Sequence, residues 1–216
     1  MNIGFFTTPA PIRIPTGIIT QAIHLAPGKI IGLLGENGIG KTSFIRSLKY
    51  ELGDKRVKNG SWNYAFLDQV PLDSYRMGSV ENLVHQLLGC RALSWKLEAA
   101  NLWHKLIDDL KWNDLIKKDL SVLSGGQKQL LKWILVELQD AHIYFLDEPF
   151  QQLDQKKIDL LRGKIKRLAS MNHCVLMIDH HKDRLFELCD FIIEMQLIDD
   201  DRLIFASIKG EEELFL

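Results

Sequence analysis

The sequence predicts an α/β fold: a mainly parallel sheet, an N-terminal antiparallel β part and a helical subdomain inserted into the α/β core. Three observations predict it. Ile30–Leu34, Ile143–Leu146 and Val175–Ile178 are unbroken apolar runs, the pattern of parallel strands covered on both faces. Each run ends in residues that carry chemistry: glycines after the first, carboxylates after the second, histidines after the third. Between residues 79 and 118 the apolar residues recur at helical spacing instead. The chain therefore reads as a single domain over 1–216, with the helical subdomain at about 79–138.

The bulk properties narrow the class. With 216 residues the chain can bury one α/β core. An apolar fraction of 46% and a charged fraction of 25% are those of an ordinary globular protein. A formal net charge of -1 supplies no field for nucleic acid, so direct nucleic-acid binding is not expected. Cys90, Cys174 and Cys189 lack metal-ligand spacing and read as free, buried thiols of a reducing compartment. No apolar run approaches the eighteen or so residues of a membrane span. The N-terminus has no basic lead of the signal-peptide kind. The expectation is a cytoplasmic chain that meets a membrane only through a partner.

In chain order, residues 2–6 and 18–25 read as strands separated by a loop broken at Pro9, Pro11 and Pro15. Pro27-Gly28 turns the chain into the strand Ile30–Leu34. Next comes Gly35-Glu36-Asn37-Gly38-Ile39-Gly40-Lys41-Thr42, followed by a helix that begins Ser43-Phe44-Ile45. Strand, glycine loop and helix start are the setting in which this spacing makes a P-loop. Gly35, Gly38 and Gly40 let successive N–H groups turn inward around a phosphate, and the helix N-terminus adds partial positive charge. Lys41 then reaches the β- and γ-phosphates, and the Thr42 hydroxyl ligates Mg²⁺. The helix should stop near Gly53, placed at its C′ position. Asn63–Leu67 is a short strand closed by Asp68-Gln69. Val80, Leu83, Val84, Leu87 and Leu88 begin the helical block, and Leu97, Ala100, Leu102, Leu106 and Leu110 continue it. Four of the five tryptophans lie between residues 95 and 133, a set that reads as helix packing rather than ligand stacking.

Leu123-Ser124-Gly125-Gly126-Gln127 opens another helix; Ser124 can cap it, and the two glycines leave backbone N–H groups open to an anion. Asp147 and Glu148 end the buried strand Ile143–Leu146, at the edge where open α/β sheets hold their ligands. Carboxylates in that apolar setting call for a metal and a water to activate. The strand Val175–Ile178 delivers Asp179, His180 and His181 to the same edge.

Taken in this order, these residues resemble the ATP-binding cassette (ABC) ATPases. The match comprises the P-loop Gly35–Thr42, Gln69, the signature Ser124-Gly125-Gly126-Gln127, Asp147-Glu148, Leu153-Asp154 and His180. By that resemblance two cassettes pair head to tail, and each ATP lies between the P-loop of one and the signature of the other. Gly35, Glu36, Asn37, Gly38, Ile39, Gly40, Lys41, Thr42 and Ser43 would hold the phosphates. Thr42, Gln69 and Asp147 would hold Mg²⁺. Glu148 would deprotonate the attacking water, with His180, Lys41 and Gln69 completing the catalytic set. Ser124, Gly125, Gly126, Gln127 and Asp154 would serve the composite site.

The resemblance implies a nucleotide-binding subunit that dimerises around ATP, here with a second copy of the chain. It would drive separate integral membrane transporter subunits, docked at the helical subdomain and at Val70–Tyr75. A soluble ATPase acting on ribosomes or DNA is the alternative. Phe66-Leu67-Asp68-Gln69, and the 28-residue step from Lys41 to Gln69, resemble the translation-factor branch. That branch carries two cassettes and a basic linker.

The chain departs from the family at several points. Phe150, Gln151 and Gln152 stand where small residues are usual, Leu130 replaces an Arg, and Asp179 replaces a Ser or Thr. No aromatic matches the adenine-stacking position by spacing, which leaves Phe5 and Phe6 as the nearest candidates. Beyond His180, a strand and a terminal helix are expected.

Overall fold

A computed structural model describes residues 6–54, 63–67, 78–89, 101, 103–105, 107–108 and 111–210. It divides into two compact units. The first comprises residues 1–68, 141–150 and 155–216, and the second comprises 69–140 and 151–154.

The first unit is built on an eight-stranded sheet. Its centre is β5 (Ile30–Leu34), flanked by β8 (Cys174–Ile178) and β9 (Phe191–Leu197), with β7 (Ile143–Asp147) and β6 (Tyr64–Leu67) beyond β8. All of these pair in parallel. Every residue of β5, β7 and β8 is buried, as their unbroken apolar runs require of strands covered on both faces. α1 (Lys41–Asp54) follows β5 and turns Phe44, Ile45 and Leu48 into the same core as Ile31, Leu33, Phe145 and Ile178. Phe66 stacks on Phe145 from the adjacent strand, ring centroids 4.6 Å apart, a cross-strand pair of the kind that fixes register. α4 (Gln155–Ser170) buries Ile158, Leu161, Ile165 and Leu168. α5 (Lys182–Leu188) links β8 to β9.

The antiparallel part differs in detail from the sequence expectation. β1 (Phe6–Thr7) and β4 (His24–Leu25) form a separate two-stranded sheet. β2 (Ile12–Ile14) and β3 (Gly17–Ile19) form a hairpin on the edge of the large sheet. The expected strand over 18–25 is thus two strands in two sheets. Gly53 lies inside α1, which runs to Asp54, rather than after it. Beyond His180 the order is α5, then a hairpin of β9 and β10 (Arg202–Lys209), so a helix comes first and two strands follow. Asp190 explains the placement of β9. Its carboxylate accepts from Ile30 N at 2.8 Å, and its own N–H donates to Ile30 O at 2.8 Å, tying the start of β9 to the start of β5.

In the second unit, α2 (Val80–Gly89) buries Val80, Leu83 and Val84, and a short 3₁₀ turn spans Leu120–Val122. α3 (Gly125–Glu137) buries Leu130, Leu131, Trp133, Ile134 and Val136. Trp103, Trp112 and Trp133 are all buried, in keeping with a packing role for the aromatics. Leu130 is 2% exposed, so where the family carries a cation this chain places core. Trp95, Cys90 and the helical positions Leu97, Ala100, Leu102, Leu106 and Leu110 lie outside the described residues.

Candidate functional site

Parallel pairing brings the chemistry of the first unit to one edge. Leu33 pairs with Ile178, and Ile178 with Asp147, so β5, β8 and β7 reach the same level before their loops begin. The P-loop, the Asp147-Glu148 pair and His180 leave from that edge.

The loop has the shape the spacing predicts. Gly35, Gly38 and Gly40 take φ values of 146°, 82° and 110°, in the region that favours glycine. At Gly40 the requirement is double, because a Cβ would collide with the Thr16 hydroxyl oxygen. That hydroxyl donates to Ile39 O at 2.6 Å, so the β2–β3 turn is hydrogen-bonded to the loop. Among the described residues nothing lies within 4 Å of a Cβ built on Gly38, so its need for glycine is conformational rather than steric. Lys41 Nζ donates to the carbonyls of Gly35 and Glu36, each at 2.8 Å. Burial pushes the Lys41 ammonium below the usual lysine value, opposed by the nearby carboxylates of Glu148 and Asp147.

The Thr42 hydroxyl donates to Asp147 Oδ1 at 3.2 Å. Asp147 is 2% exposed, yet it faces a hydroxyl and lies close enough to Lys41 to favour the charged ammonium. Among the described residues no group of three or more His, Cys, Asp or Glu forms an all-protein metal cage. One hydroxyl beside one carboxylate is the sparse, hard-oxygen donor set that suits Mg²⁺, which keeps its remaining places for phosphate oxygens and water. These residues fit that ion.

Glu148 holds φ at 51°, a left-handed conformation that costs a non-glycine residue about 1–3 kcal/mol. Its N–H donates to Ile178 O at 3.0 Å, and its carboxylate pairs with His180 Nε2. The two groups expected to act on the attacking water and the γ-phosphate therefore touch. Asp179, beside His180, is 5% exposed and accepts from His181 N at 2.7 Å.

In the second unit, Ser124 Oγ accepts from Gln127 N at 3.2 Å, and Gln127 Oε1 accepts from Ser124 N at 2.8 Å. This is a complete capping box at the start of α3. Gln127 thus has a structural role that the motif alone does not announce. A Cβ on Gly126 would meet the Gln152 carbonyl oxygen at 2.8 Å, so this glycine is also needed for a close approach within the unit.

The sequence of residues 21–151 matches the family described as "ABC transporter". This chain belongs to the ABC transporter family. Cassettes of this family are ATPases. The cassette is 27% identical over 195 residues to a putative ABC transporter ATP-binding protein of Treponema denticola, covering 81% of this chain and 39% of that protein. Among solved structures, it matches an RNase-L inhibitor with a TM-score of 0.71 at 23% identity, over 99% of this chain and 41% of the other. It matches the ATP-binding subunit of an ABC transporter with a TM-score of 0.71 at 19% identity, over 87% and 82%. At such identities the structural likeness speaks for the fold alone. The chain spans between 27% and 39% of the length of three curated relatives.

Of the predicted site residues, the structure brings Gly35–Ser43, Asp147, Glu148 and His180 to one sheet edge. Ser124–Gln127 and Asp154 belong to the second unit. Gln69 and Val70–Tyr75 lie outside the described residues, as does Phe5. Phe6 is 5% exposed and packs against Tyr64 in the core, so its ring has no free face for a base. The contacts sequence reasoning missed are those of Thr16, Arg184 and Phe150. Each depends on a tertiary neighbour and has no local signature.

Proposed function

We propose that this chain is an ATP-hydrolysing subunit that dimerises around ATP and drives the membrane subunits of a transporter from the cytoplasmic side. The observation that carries the reading is the contact of Glu148 with His180 at the sheet edge that also bears Lys41 and the Thr42–Asp147 pair.

Lys41 rests on the carbonyls of Gly35 and Glu36. An arriving triphosphate offers anionic oxygens in their place, so the ammonium moves from neutral acceptors to charged ones. The loop amides and the N-terminus of α1 complete the cradle. Thr42, Asp147 and Gln69 would hold Mg²⁺, which when bound neutralises charge developing on the phosphate oxygens. Glu148 takes a proton from water as the water oxygen bonds to the γ-phosphorus and the bond to the β-phosphate bridge oxygen breaks, releasing ADP and phosphate. His180 keeps Glu148 in place and contacts the γ-phosphate. Ser124, Gly125, Gly126 and Gln127 of a second copy close over the nucleotide, with Asp154 nearby. The capping box occupies an acceptor site of Ser124, and the hydroxyl proton can still turn toward an anion.

The test is Glu148→Gln. The amide matches the carboxylate in shape but cannot accept the proton, so turnover should fall by about 10²- to 10⁴-fold. ATP should still bind, and the ATP-bound dimer should accumulate on size-exclusion chromatography. Near-normal turnover sinks Glu148 as the base. Lost turnover in a species that stays monomeric with ATP sinks the homodimer. The trapped variant, used as bait, should retain a polytopic membrane protein. Salt-sensitive retention of ribosomes favours the translation-factor alternative instead.

A further inference from the structure

Two departures from the family pattern, Asp179 and Phe150, meet in space through a third residue. Asp179 uses both carboxylate oxygens: Oδ1 accepts from His181 N at 2.7 Å, and Oδ2 lies 3.7 Å from Arg184 Nη1. The Arg184 guanidinium lies over the Phe150 ring, 5.9 Å from its centroid. Phe150 is 2% exposed and Asp179 is 5% exposed, so both ends of this chain of contacts are fixed in the interior.

The contacts join two loops. Phe150 follows Glu148 by two residues on the loop after β7, and Asp179 directly precedes His180 on the loop after β8. Arg184, on α5, touches both. Glu148 sits in a conformation it would not adopt unaided, and the His180 side chain is half-exposed, so neither group fixes itself. A cation held between a buried carboxylate and a buried ring can set the spacing of the two loops. Arginine suits the place, because its flat guanidinium stacks on rings while its N–H groups face a carboxylate.

We infer that Asp179, Arg184 and Phe150 form a brace that holds His180 against Glu148, acting as positioning residues for hydrolysis without touching ATP. This rests on the assignment of Glu148 and His180 to hydrolysis. Its signature is a fall in kcat without a matching change in KM, because the P-loop that binds ATP is not part of the brace.

The experiment is a double-mutant cycle on ATP turnover. Asp179→Ala should lower kcat about tenfold or more, as small misplacements of reacting groups do, with KM for ATP within about threefold of the parent. Asp179→Asn keeps an oxygen for His181 N–H but loses the charge facing Arg184, so it should fall between Asp179→Ala and the parent. It is nearly isosteric and carries the test if the alanine variant does not fold. In a His180→Ala background, Asp179→Ala should cost nothing further. Equal losses in both backgrounds overturn the brace, as does a raised KM with kcat unchanged. If His180→Ala loses turnover while Asp179→Ala and Asp179→Asn keep it, the brace alone falls. If His180→Ala keeps full turnover, the underlying assignment falls and takes the brace with it.

Discussion

Glu148 and His180 hold each other in place, whereas among the described residues the neighbouring His181 side chain shows no such contact. His181 stands at the N-cap of α5, exposed, with no side-chain capping bond. His180→Ala should therefore reduce ATP turnover by about 10²-fold, the lower end of what a positioned acid–base group contributes. His181→Ala should stay within about twofold, as exposed substitutions do. Steady-state turnover of the two variants, with folding checked by circular dichroism, decides the ranking. The reverse order would assign the γ-phosphate contact to His181. Lys41, Thr42, Asp147 and Glu148 were legible in the sequence because each sits at a strand end or glycine loop whose chemistry is local. Arg184 was not, since a lysine- and arginine-rich helix start shows nothing of a ring 34 residues upstream in the chain. Phe6 misled for the complementary reason. An aromatic in a short N-terminal strand is as ready to join the core as to meet a base, and here the core took it.

At the level of elements, α3 shows how a binding motif and a helix start can be one structure. Ser124→Ala removes the acceptor for Gln127 N and should destabilise the chain by about 1 kcal/mol even without nucleotide. Urea unfolding, together with faster hydrogen exchange at the Gln127 amide, reads this out. An unchanged exchange rate would mean the capping box does not form in solution. The existence of β5, β7, β8 and α1 was readable because apolar runs and helical spacing are properties of neighbouring residues. The splitting of 18–25 into β3 and β4 was not readable. Thr20–Ala22 carry no strong breaker, and the split is set by the two different sheets that receive the halves. The β9–β10 hairpin escaped notice because its turn is built from Asp199, Asp200 and Asp201 rather than from glycine or proline.

Over the whole first unit, strand order is the part the sequence conceals. Nothing local says that β5 lies between β8 and β9, or that Asp190 ties β9 to the start of β5. The resulting burial has a measurable cost in alkali. Burial pushes both thiols up, that of Cys189 to about 12 and that of Cys174 further. The unfolded chain ionises them near the ordinary value of 9.0, whereas the folded chain keeps them protonated. Their contribution is complete below about pH 9 and is lost as pH rises toward the folded values. The free energy of unfolding should fall between about pH 9 and 12, and less steeply in the double variant Cys174→Ala, Cys189→Ala. Identical slopes would show that the thiols are not held protonated by the fold.

The level ends of β5, β8 and β7 carry one more consequence, for refolding. Three loops from three strands deliver the reacting groups, and a slip of one residue in any strand turns its side chains to the opposite face. No half-assembled sheet can then hold a half-working site. Activity recovered after denaturation counts only the molecules whose central strands have all found their register, so catalysis returns as an all-or-none property of each molecule.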